Sequence, residues 1–300
     1  MADLHAISCR EGYFGGLRLL QATCKAFYSY CRNEGIGKYS NVNFITTKLV
    51  LSRRNFTLSY DTNIPRQVGL AGSSAIVTST LKCLMNFFNL TENDLPKPKR
   101  ASLALDVETS ELFIQAGLQD RVVQTYEGLV DMDFAKELVD EQGYGHYANL
   151  NVKALPTLFL VYCPNPSDSG KIHSTVKHRW LSGDKEVIDG MNNFRSVSAN
   201  KQARKLCSRN FTTEARQAIE AENWTSLQKL MDKNFEQRRN LYGDACLGVE
   251  NLKMISIAKE YGASAKFSGS GGAIVGLLLE ESKENQMKSA FQVISSMELP

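Results

Sequence analysis

The sequence contains little from which a zinc site or a disulfide framework could be built. It has four histidines and seven cysteines, an odd number, and no two cysteines follow the Cys-x-x-Cys spacing. Structural zinc sites need closely spaced ligands, and disulfide frameworks need paired thiols. We therefore expect neither feature. A protein without a disulfide framework suits a reducing compartment, so the predicted location is the cytoplasm.

Long runs of one charge and long apolar runs are also missing. The net charge is only +3 and the charged residues are interspersed, so no nucleic-acid partner is expected. The longest apolar stretches, at residues 158–163 and 273–279, are too short to cross a bilayer. Residues 1–10, MADLHAISCR, lack the apolar segment of a signal peptide. We expect no membrane association, and no protein partner is predicted.

The hydrophobic content is large enough for a sizeable core. Of the 300 residues, 43% are hydrophobic, and this length suits two domains or two lobes of one fold. The pattern of elements places the boundary near residues 150–155. We therefore expect one lobe over residues 1–153 and a second over residues 154–300.

Hydrophobic periodicity predicts the main helices and strands. Helical spacing marks residues 15–32, 77–88, about 101–116, 227–235 and 252–258. Strands are predicted where Phe56, Leu58 and Tyr60 alternate with polar residues, and at residues 128–134. The apolar run at 155–164 predicts a well-buried strand, and two further strands are expected around the glycines near residue 270.

A glycine- and serine-rich stretch, IPRQVGLAGSSAIV, lies between a predicted strand and a predicted helix at residues 64–77. Exposed amides at a helix N-terminus attract anions, and glycine lets the backbone approach them closely. This arrangement is typical of phosphate-binding loops, although no Gly-Lys-Ser/Thr follows. The alternative is an ordinary capped helix after a tight turn.

Two other segments carry candidate chemistry. In ETSELFIQAGLQDRV, Glu108 and Glu111 are three residues apart on one predicted helix face, and Asp120 follows a glycine just beyond that helix. Such carboxylates could hold Mg²⁺ and accept a proton from an alcohol; the alternative is a solvated acidic face. The second segment, KFSGSGGAIV at residues 266–275, is either part of a nucleotide site or a simple hairpin turn.

Together the three segments, in this order, resemble the superfamily of galactokinase, homoserine kinase, mevalonate kinase and phosphomevalonate kinase. The phosphate loop of that group corresponds to Pro65 through Ala75, with one residue more than the usual spacing. The sequence resembles the plant-type glucuronokinases more closely. The stretches that carry this likeness are SYDTNIPRQVGLAGSSAIV, AGLQDRV, NPSDSGKIHS and KFSGSGGAIV, and it runs from about residue 11 to about residue 280.

The resemblance implies a fold and a reaction. The fold is α+β, with two kinase lobes and the active site in the cleft between them. The reaction is transfer of the γ-phosphate of ATP, with Mg²⁺, to the anomeric hydroxyl of D-glucuronate. The product, glucuronate 1-phosphate, would feed UDP-glucuronate synthesis.

The resemblance also assigns roles to residues. Asp120 matches the catalytic base, and Arg121 would balance developing charge, with a surface salt bridge as the alternative. Ser74 and Glu108 match the metal ligands, with Glu111 as the alternative carboxylate. ATP binding falls to the two glycine-rich loops, namely Pro65, Gly69, Leu70, Ala71, Gly72, Ser73, Ser74, Ala75, Gly269, Ser270, Gly271 and Gly272.

The substrate would contact residues of NPSDSGKIHS and of the first loop. Ser169 offers a hydroxyl donor, and either Lys171 or Arg66 would pair with the uronate carboxylate. The alternative for this segment is a helix cap followed by an ordinary surface lysine.

The sequence departs from the plant-type pattern in three places. It lacks a stretch resembling Arg-Ile-Gly-Phe-Leu-Gly-Asn-Pro-Ser-Asp and the strands that follow it, so the first lobe is expected to be incomplete. Residues of about 45–55 and 195–210 look inserted. A truncated, inactive nucleotide- or sugar-binding protein on the same fold is therefore the second hypothesis. A galactokinase or heptose kinase is the third.

Overall fold

The structure, a computed structural model, describes residues 2–13, 15–36, 55–151, 155–163, 178–185, 187–188, 211–269 and 271–297. The chain divides into two compact units. The first unit consists of Met1–Asn63 and Ala71–Leu150, and the second of Ile64–Leu70 and Asn151–Pro300. Helices and small antiparallel sheets together form an α+β fold.

The first unit is mainly helical. Its helices are α1 (Ala2–Glu11), α2 (Arg18–Asn33), α3 (Gly72–Phe87), α4 (Lys97–Asp106), α5 (Leu118–Tyr126) and α6 (Lys136–Gln142). A π-helical turn, Val107–Glu111, continues directly from α4. Strands β1 (Val130–Asp133) and β2 (His146–Asn149) pair antiparallel, with Val130 opposite Asn149.

The core of the first unit forms where the apolar faces of α2 and α3 meet. On α2, Cys24, Phe27 and Cys31 recur at the spacing of one helix face, and all three are buried. On α3, Leu81 and Leu84 pack into the same cluster. The predicted helices at 15–32 and 77–88 are therefore present, with the expected faces inward, although Leu17 is exposed.

The second unit combines a three-stranded antiparallel sheet with helices. Its strands, β3 (Leu158–Tyr162), β4 (Ser264–Phe267) and β5 (Ala273–Leu277), lie in the order β3-β5-β4. Its helices are α7 (Phe211–Glu220), α8 (Trp224–Tyr242), α9 (Asp244–Leu247), α10 (Val249–Glu260) and α11 (Glu284–Met297), with a 3-10 turn at Glu281–Lys283.

Local signals fix the ends of the predicted helices in this unit. The side chain of Asn223 accepts a hydrogen bond from the Ser226 amide at 3.0 Å and so caps α8. Gly262, with φ +77°, follows the last residues of α10 and takes the left-handed conformation that ends many helices. From these helices Phe235, Met254 and Ile255 pack into one cluster with the sheet residues Phe267 and Ile274.

The strand predicted at Phe56, Leu58 and Tyr60 is wrong. These residues are described, and the backbone of 55–60 has no strand pairing within the described part of the chain. Phe56 and Leu58 instead pack against the core of the first unit, while Tyr60 is exposed. Alternation shows that one face is apolar, but a strand also needs a hydrogen-bonded neighbour.

Two further predictions need correction. The helix predicted at 101–116 begins earlier and ends earlier, because α4 starts at Lys97 and the π turn ends at Glu111. The strand predicted to be well buried is β3, but it lies at the edge of its sheet. Its outward residues are 48%, 53% and 46% exposed, for Leu158, Leu160 and Tyr162. A continuous apolar run does not distinguish a central strand from an edge strand.

Every helix in the described ranges is too short or too polar to cross a membrane. The six cysteines that are described all carry free thiols.

We predict that Gly276→Ala destabilises the protein by about 1–3 kcal/mol, the range for overpacking a core. A Cβ at this position in β5 would lie 2.0 Å from Cζ of Phe159 and 2.6 Å from the backbone oxygen of Ser264. Urea unfolding would measure the loss. Gly16→Ala is the matched control, since a Cβ at Gly16 meets nothing within 4 Å. Equal midpoints for the two variants would contradict the packing described here.

Candidate active site

Within the described residues, no side chain caps the N-terminus of α3. Ala71, the residue before the helix, has φ +56° and ψ +35°, which is the left-handed region. The first turn of the helix contains no acidic residue. Amides in this position carry a partial positive charge and can donate hydrogen bonds to an anion. The capped-helix alternative for this stretch is therefore wrong.

The carbonyl oxygen of Ala71 collects three hydrogen bonds. The Ser74 hydroxyl donates to it at 2.9 Å and the Ala75 amide at 3.0 Å. The third donor is the side-chain amide Nε2 of Gln124, at 3.0 Å, which belongs to α5. The start of α3 is thus tied to a helix that lies about fifty residues later in the chain.

Asp120 lies beyond the helix predicted at 101–116, as expected, but it belongs to the first turn of α5, a helix that was not predicted from the sequence. Its side chain is 47% exposed, and it accepts a hydrogen bond at 3.3 Å from Nη1 of Arg121. Gln124 follows Asp120 by one helical turn, and positions four apart share a helix face. The candidate base and the open N-terminus of α3 are therefore on two elements in direct contact.

Arg121 and Glu108 form a buried ion pair. Their relative exposures are 3% and 0%. The guanidinium donates to Oε2 of Glu108 from Nε at 2.8 Å and also from Nη2, and Nη1 donates to the Gly117 carbonyl at 2.8 Å. The surface salt bridge considered for Arg121 is therefore wrong. This arginine joins the π turn to the first turn of α5.

The other oxygen of Glu108, Oε1, is buried and has no hydrogen-bond partner within the described residues. A buried carboxylate oxygen without a partner is costly unless a ligand satisfies it. Ser74, which is also buried, donates its proton to Ala71 and keeps its oxygen lone pairs. These hard oxygen donors fit the preference of Mg²⁺. No cluster of three or more His, Cys, Asp or Glu that could hold a metal is found in the described ranges.

Glu111 has different partners from Glu108, although both belong to the π turn. Its Oε2 accepts a hydrogen bond from the Tyr13 hydroxyl and another from Nζ of Lys25, both at 2.6 Å. Burial, together with the hydrogen bond to Glu111, raises the pKa of Tyr13, so the phenol remains a donor. Both glutamates are thus paired with a cation, and the difference between them is the buried Oε1 of Glu108, which has no hydrogen-bond partner within the described residues. That unpartnered oxygen favours Glu108 as the candidate metal ligand.

In the second unit the residues before Ala71 pack against the glycine turn between β4 and β5. Gly69 has φ +71°, and a Cβ there would lie 2.4 Å from the carbonyl oxygen of Gly271. Gly272 has φ +85°, and its Cβ would lie 3.0 Å from Cα of Val68. The glycines of both loops are thus required by the close approach of two backbones. The simple-hairpin alternative accounts for only part of this.

Sequence reasoning missed the side chains that hold these loops together. Asn251, which is buried in α10, donates to the Leu247 carbonyl at 2.7 Å and accepts from the Gly272 amide at 2.9 Å. Ser268 Oγ donates to the Gly69 carbonyl at 3.2 Å. Gln124 in the first unit was missed as well. A single amide residue in a helix carries no signal that could have identified it.

The remaining predicted residues are placed as follows. Pro65, Leu70, Gly72, Ser73 and Ala75 are partly buried. Arg66 is exposed, and Gly269 approaches Gly69, because a Cβ at Gly269 would lie 2.9 Å from the Gly69 carbonyl oxygen. Ser270, Ser169 and Lys171 lie outside the described residues, as do nearly all of the two inserted stretches.

Two family models match the chain on both sides of its middle. The N-terminal domain of the GHMP kinases matches residues 39–128, and the C-terminal domain of the GHMP kinases matches residues 215–293. The first match contains the start of α3, Glu108 and Asp120. The second contains Asn251 and the glycine turn. The chain belongs to the GHMP kinases.

The curated relatives of this chain include two proteins of Arabidopsis thaliana. "Probable glucuronokinase 2" is 46% identical over 266 residues, and "Glucuronokinase 1" is 45% identical over 265 residues. Each alignment covers 88% of this chain and 65% of the relative. The chain thus spans slightly under two thirds of the length of these relatives.

A solved structure shares the fold. A Lin0012 protein from Listeria innocua superposes with a TM-score of 0.67 at 14% sequence identity, covering 94% of this chain and 78% of that one. At this identity the likeness concerns the fold alone. It is consistent with the α+β GHMP kinase fold that the two family models indicate.

We predict that Arg121→Met destabilises the protein by about 3–5 kcal/mol, because it leaves the Glu108 carboxylate buried without its cation. Adding Glu108→Gln to that variant should recover part of the loss, since the uncompensated charge is then removed. Thermal and urea unfolding would measure both effects. Arg239→Met, which breaks an exposed pair with Asp244, should change stability little. An Arg121→Met variant as stable as the parent would contradict a buried pair.

Proposed function

We propose that this GHMP kinase transfers the γ-phosphate of ATP to the anomeric hydroxyl of D-glucuronate, giving glucuronate 1-phosphate. The observation that carries the proposal is the contact between the uncapped N-terminus of α3 and the helix of Asp120, through Gln124 and Ala71. The choice of sugar is supported by the names of the two Arabidopsis relatives.

The phosphate groups of ATP would bind at the start of α3. Phosphoryl transfer depends mainly on neutralising and aligning charged oxygens. The amides of Gly72, Ser73 and Ser74 supply donors there, and the left-handed Ala71 turns the chain into the helix. ATP binding by the glycine-rich loops around Gly69 and Gly271 remains a prediction from the family resemblance.

Asp120 would act on the sugar hydroxyl. Its carboxylate is half-exposed, which leaves it accessible to a substrate, and it accepts a hydrogen bond from the buried Arg121. A carboxylate in this position can orient the attacking hydroxyl and take its proton. Arg121 holds Asp120 and Glu108 with the same guanidinium, so it fixes the base relative to the candidate metal ligand.

Glu108 and Ser74 would hold Mg²⁺. When bound, the ion neutralises part of the negative charge on the phosphates. The partnerless Oε1 of Glu108 is the observation that supports this assignment.

Recognition of the uronate carboxylate is assigned to a cation. Arg66 is exposed and therefore accessible, and Lys171 is the second candidate. Ser169 would add a hydroxyl contact to the sugar. We place the reaction in the cytoplasm, where its product would be consumed by a uridylyl transfer that forms UDP-glucuronate.

We predict that Asp120→Asn lowers kcat by about 10²–10⁴-fold, the usual contribution of a positioned base. Release of ADP from Mg·ATP would be followed with D-glucuronate, D-galacturonate, D-glucose and D-galactose. Asp140→Asn, which changes an exposed aspartate on α6, is the matched control. Faster turnover of D-galactose would identify a galactokinase instead. Binding of ATP without sugar-dependent ADP release would identify an inactive binding protein.

We predict that the two glutamates of the π turn respond differently to replacement by glutamine. Glu108→Gln should weaken Mn²⁺ binding to the nucleotide complex by ~10-fold or more, a scale seen when metal sites are perturbed. Glu111→Gln should leave Mn²⁺ affinity unchanged but lower the unfolding midpoint, because it weakens the pair with Lys25. Electron paramagnetic resonance titration with Mn²⁺ would measure the affinity. The reverse pattern would make Glu111 the ligand.

A further inference from the structure

The conformation of Ala71 needs an explanation, since a non-glycine residue with φ +56° is uncommon and unfavourable. The residue before a helix usually has extended backbone angles and a polar side chain that caps the first amides. Ala71 has neither property. Something outside its own side chain must therefore hold the backbone in this state.

Three donors converge on the carbonyl of Ala71, and only one comes from another helix. Ser74 and Ala75 belong to the helix that Ala71 begins, so their bonds accompany the helix itself. Gln124 lies 53 residues later, and its bond to Ala71 exists only when α5 packs on α3. A carbonyl has two lone pairs, and three donors fix its direction closely.

The other end of the Gln124 amide shows that this bond is not made for stability alone. Its Oε1 is buried and has no hydrogen-bond partner among the residues that the structure describes. A buried amide with one unsatisfied end costs free energy that an apolar side chain of the same length would avoid. The hydrogen bond to Ala71 is the feature that an apolar side chain at this position could not supply.

We propose that Gln124 is a positioning residue, which holds Ala71 in the left-handed conformation and thereby fixes the N-terminus of α3 relative to Asp120. Asp120 is one turn before Gln124 on the same short helix. The bond from Gln124 to Ala71 therefore fixes the position of the base relative to the phosphate-binding amides. The catalytic consequence of this inference rests on the proposed function; the conformational part does not.

The first test replaces the amide without changing its length. Gln124→Met keeps the apolar stem and removes the donor. It is expected to raise KM for Mg·ATP about three- to tenfold, the scale of one lost hydrogen bond, and to lower kcat. Gln119→Met is the matched control, because Gln119 is an exposed glutamine of the same helix. A drop in unfolding temperature with unchanged KM and kcat would overturn the positioning role.

The second test uses the strain at Ala71. Glycine adopts a positive φ without penalty, so Ala71→Gly needs less help from Gln124. Gln124→Met raises the dissociation constant for Mg·ATP by some factor in the parent protein. In the Ala71→Gly background, the same substitution should raise it by less than half that factor. The same coupling is expected in the urea unfolding midpoints. Strictly additive effects in both measurements would overturn the inference.

The two proposals can fail separately. Dissociation constants and unfolding midpoints are measured without any sugar, so they test the link between Gln124 and Ala71 even if D-glucuronate is not phosphorylated. Loss of sugar phosphorylation in the parent protein, with coupling retained, would remove the proposed function and leave this inference standing. An active parent protein with no coupling between Gln124 and Ala71 would support the proposed function and remove this inference.

Discussion

The ion pair between Arg121 and Glu108 is the interaction on which the arrangement of the first unit most depends. It joins two segments that no regular element connects, because residues 112–117 form neither helix nor strand. The guanidinium donates to the carboxylate from two nitrogens and to a carbonyl from the third, and its planar fork holds these donors in a fixed geometry that the flexible ammonium of a lysine lacks. By holding Glu108 on one side and Gly117 on the other, Arg121 fixes where α5 begins. The direction in which Asp120 points follows from that.

The glycine-rich loops show how one composition can serve two requirements. Their composition suits anion binding, which needs close approach of the backbone to a ligand. The structure adds that Gly69 and Gly272 are also needed because the two loops approach each other. Both requirements exclude a Cβ, so composition alone cannot separate them. Side chains outside the loops, such as Asn251, reveal the packing role.

Much of the fold could be predicted because its signals are local. The helices around Phe27, Leu81, Phe235 and Ile255 follow from apolar spacing, which depends on neighbours within two turns. The position of Asp120 just beyond a helix break followed from Gly117 in the same way. The exposure of Leu160 could not be predicted, because it depends on which strands flank β3. The prediction of a strand at Phe56 was wrong for the same reason, because strand formation depends on a neighbouring strand.

The least predictable parts of the candidate site are its supporting contacts. Glu108 and Arg121 are thirteen residues apart, and their pairing requires the π turn, which has no simple sequence signature. Gln124 and Ala71 are farther apart still. Recurrent motifs mark the groups that would touch a ligand, whereas the groups that orient them are ordinary residues whose partners depend on the whole fold. That division explains why the sequence draws attention to the motif residues and not to Gln124.

The bond between Ser268 and Gly69 spans 199 residues of sequence. During synthesis on the ribosome, residues 64–70 emerge long before the strands that they pack against. This segment therefore lacks its packing partners until β4 and β5 have been made. Loop closure over such a distance is slow compared with helix formation. The second unit consequently becomes complete only after β4 and β5 have been made, and the helices of the first unit can pack together before that.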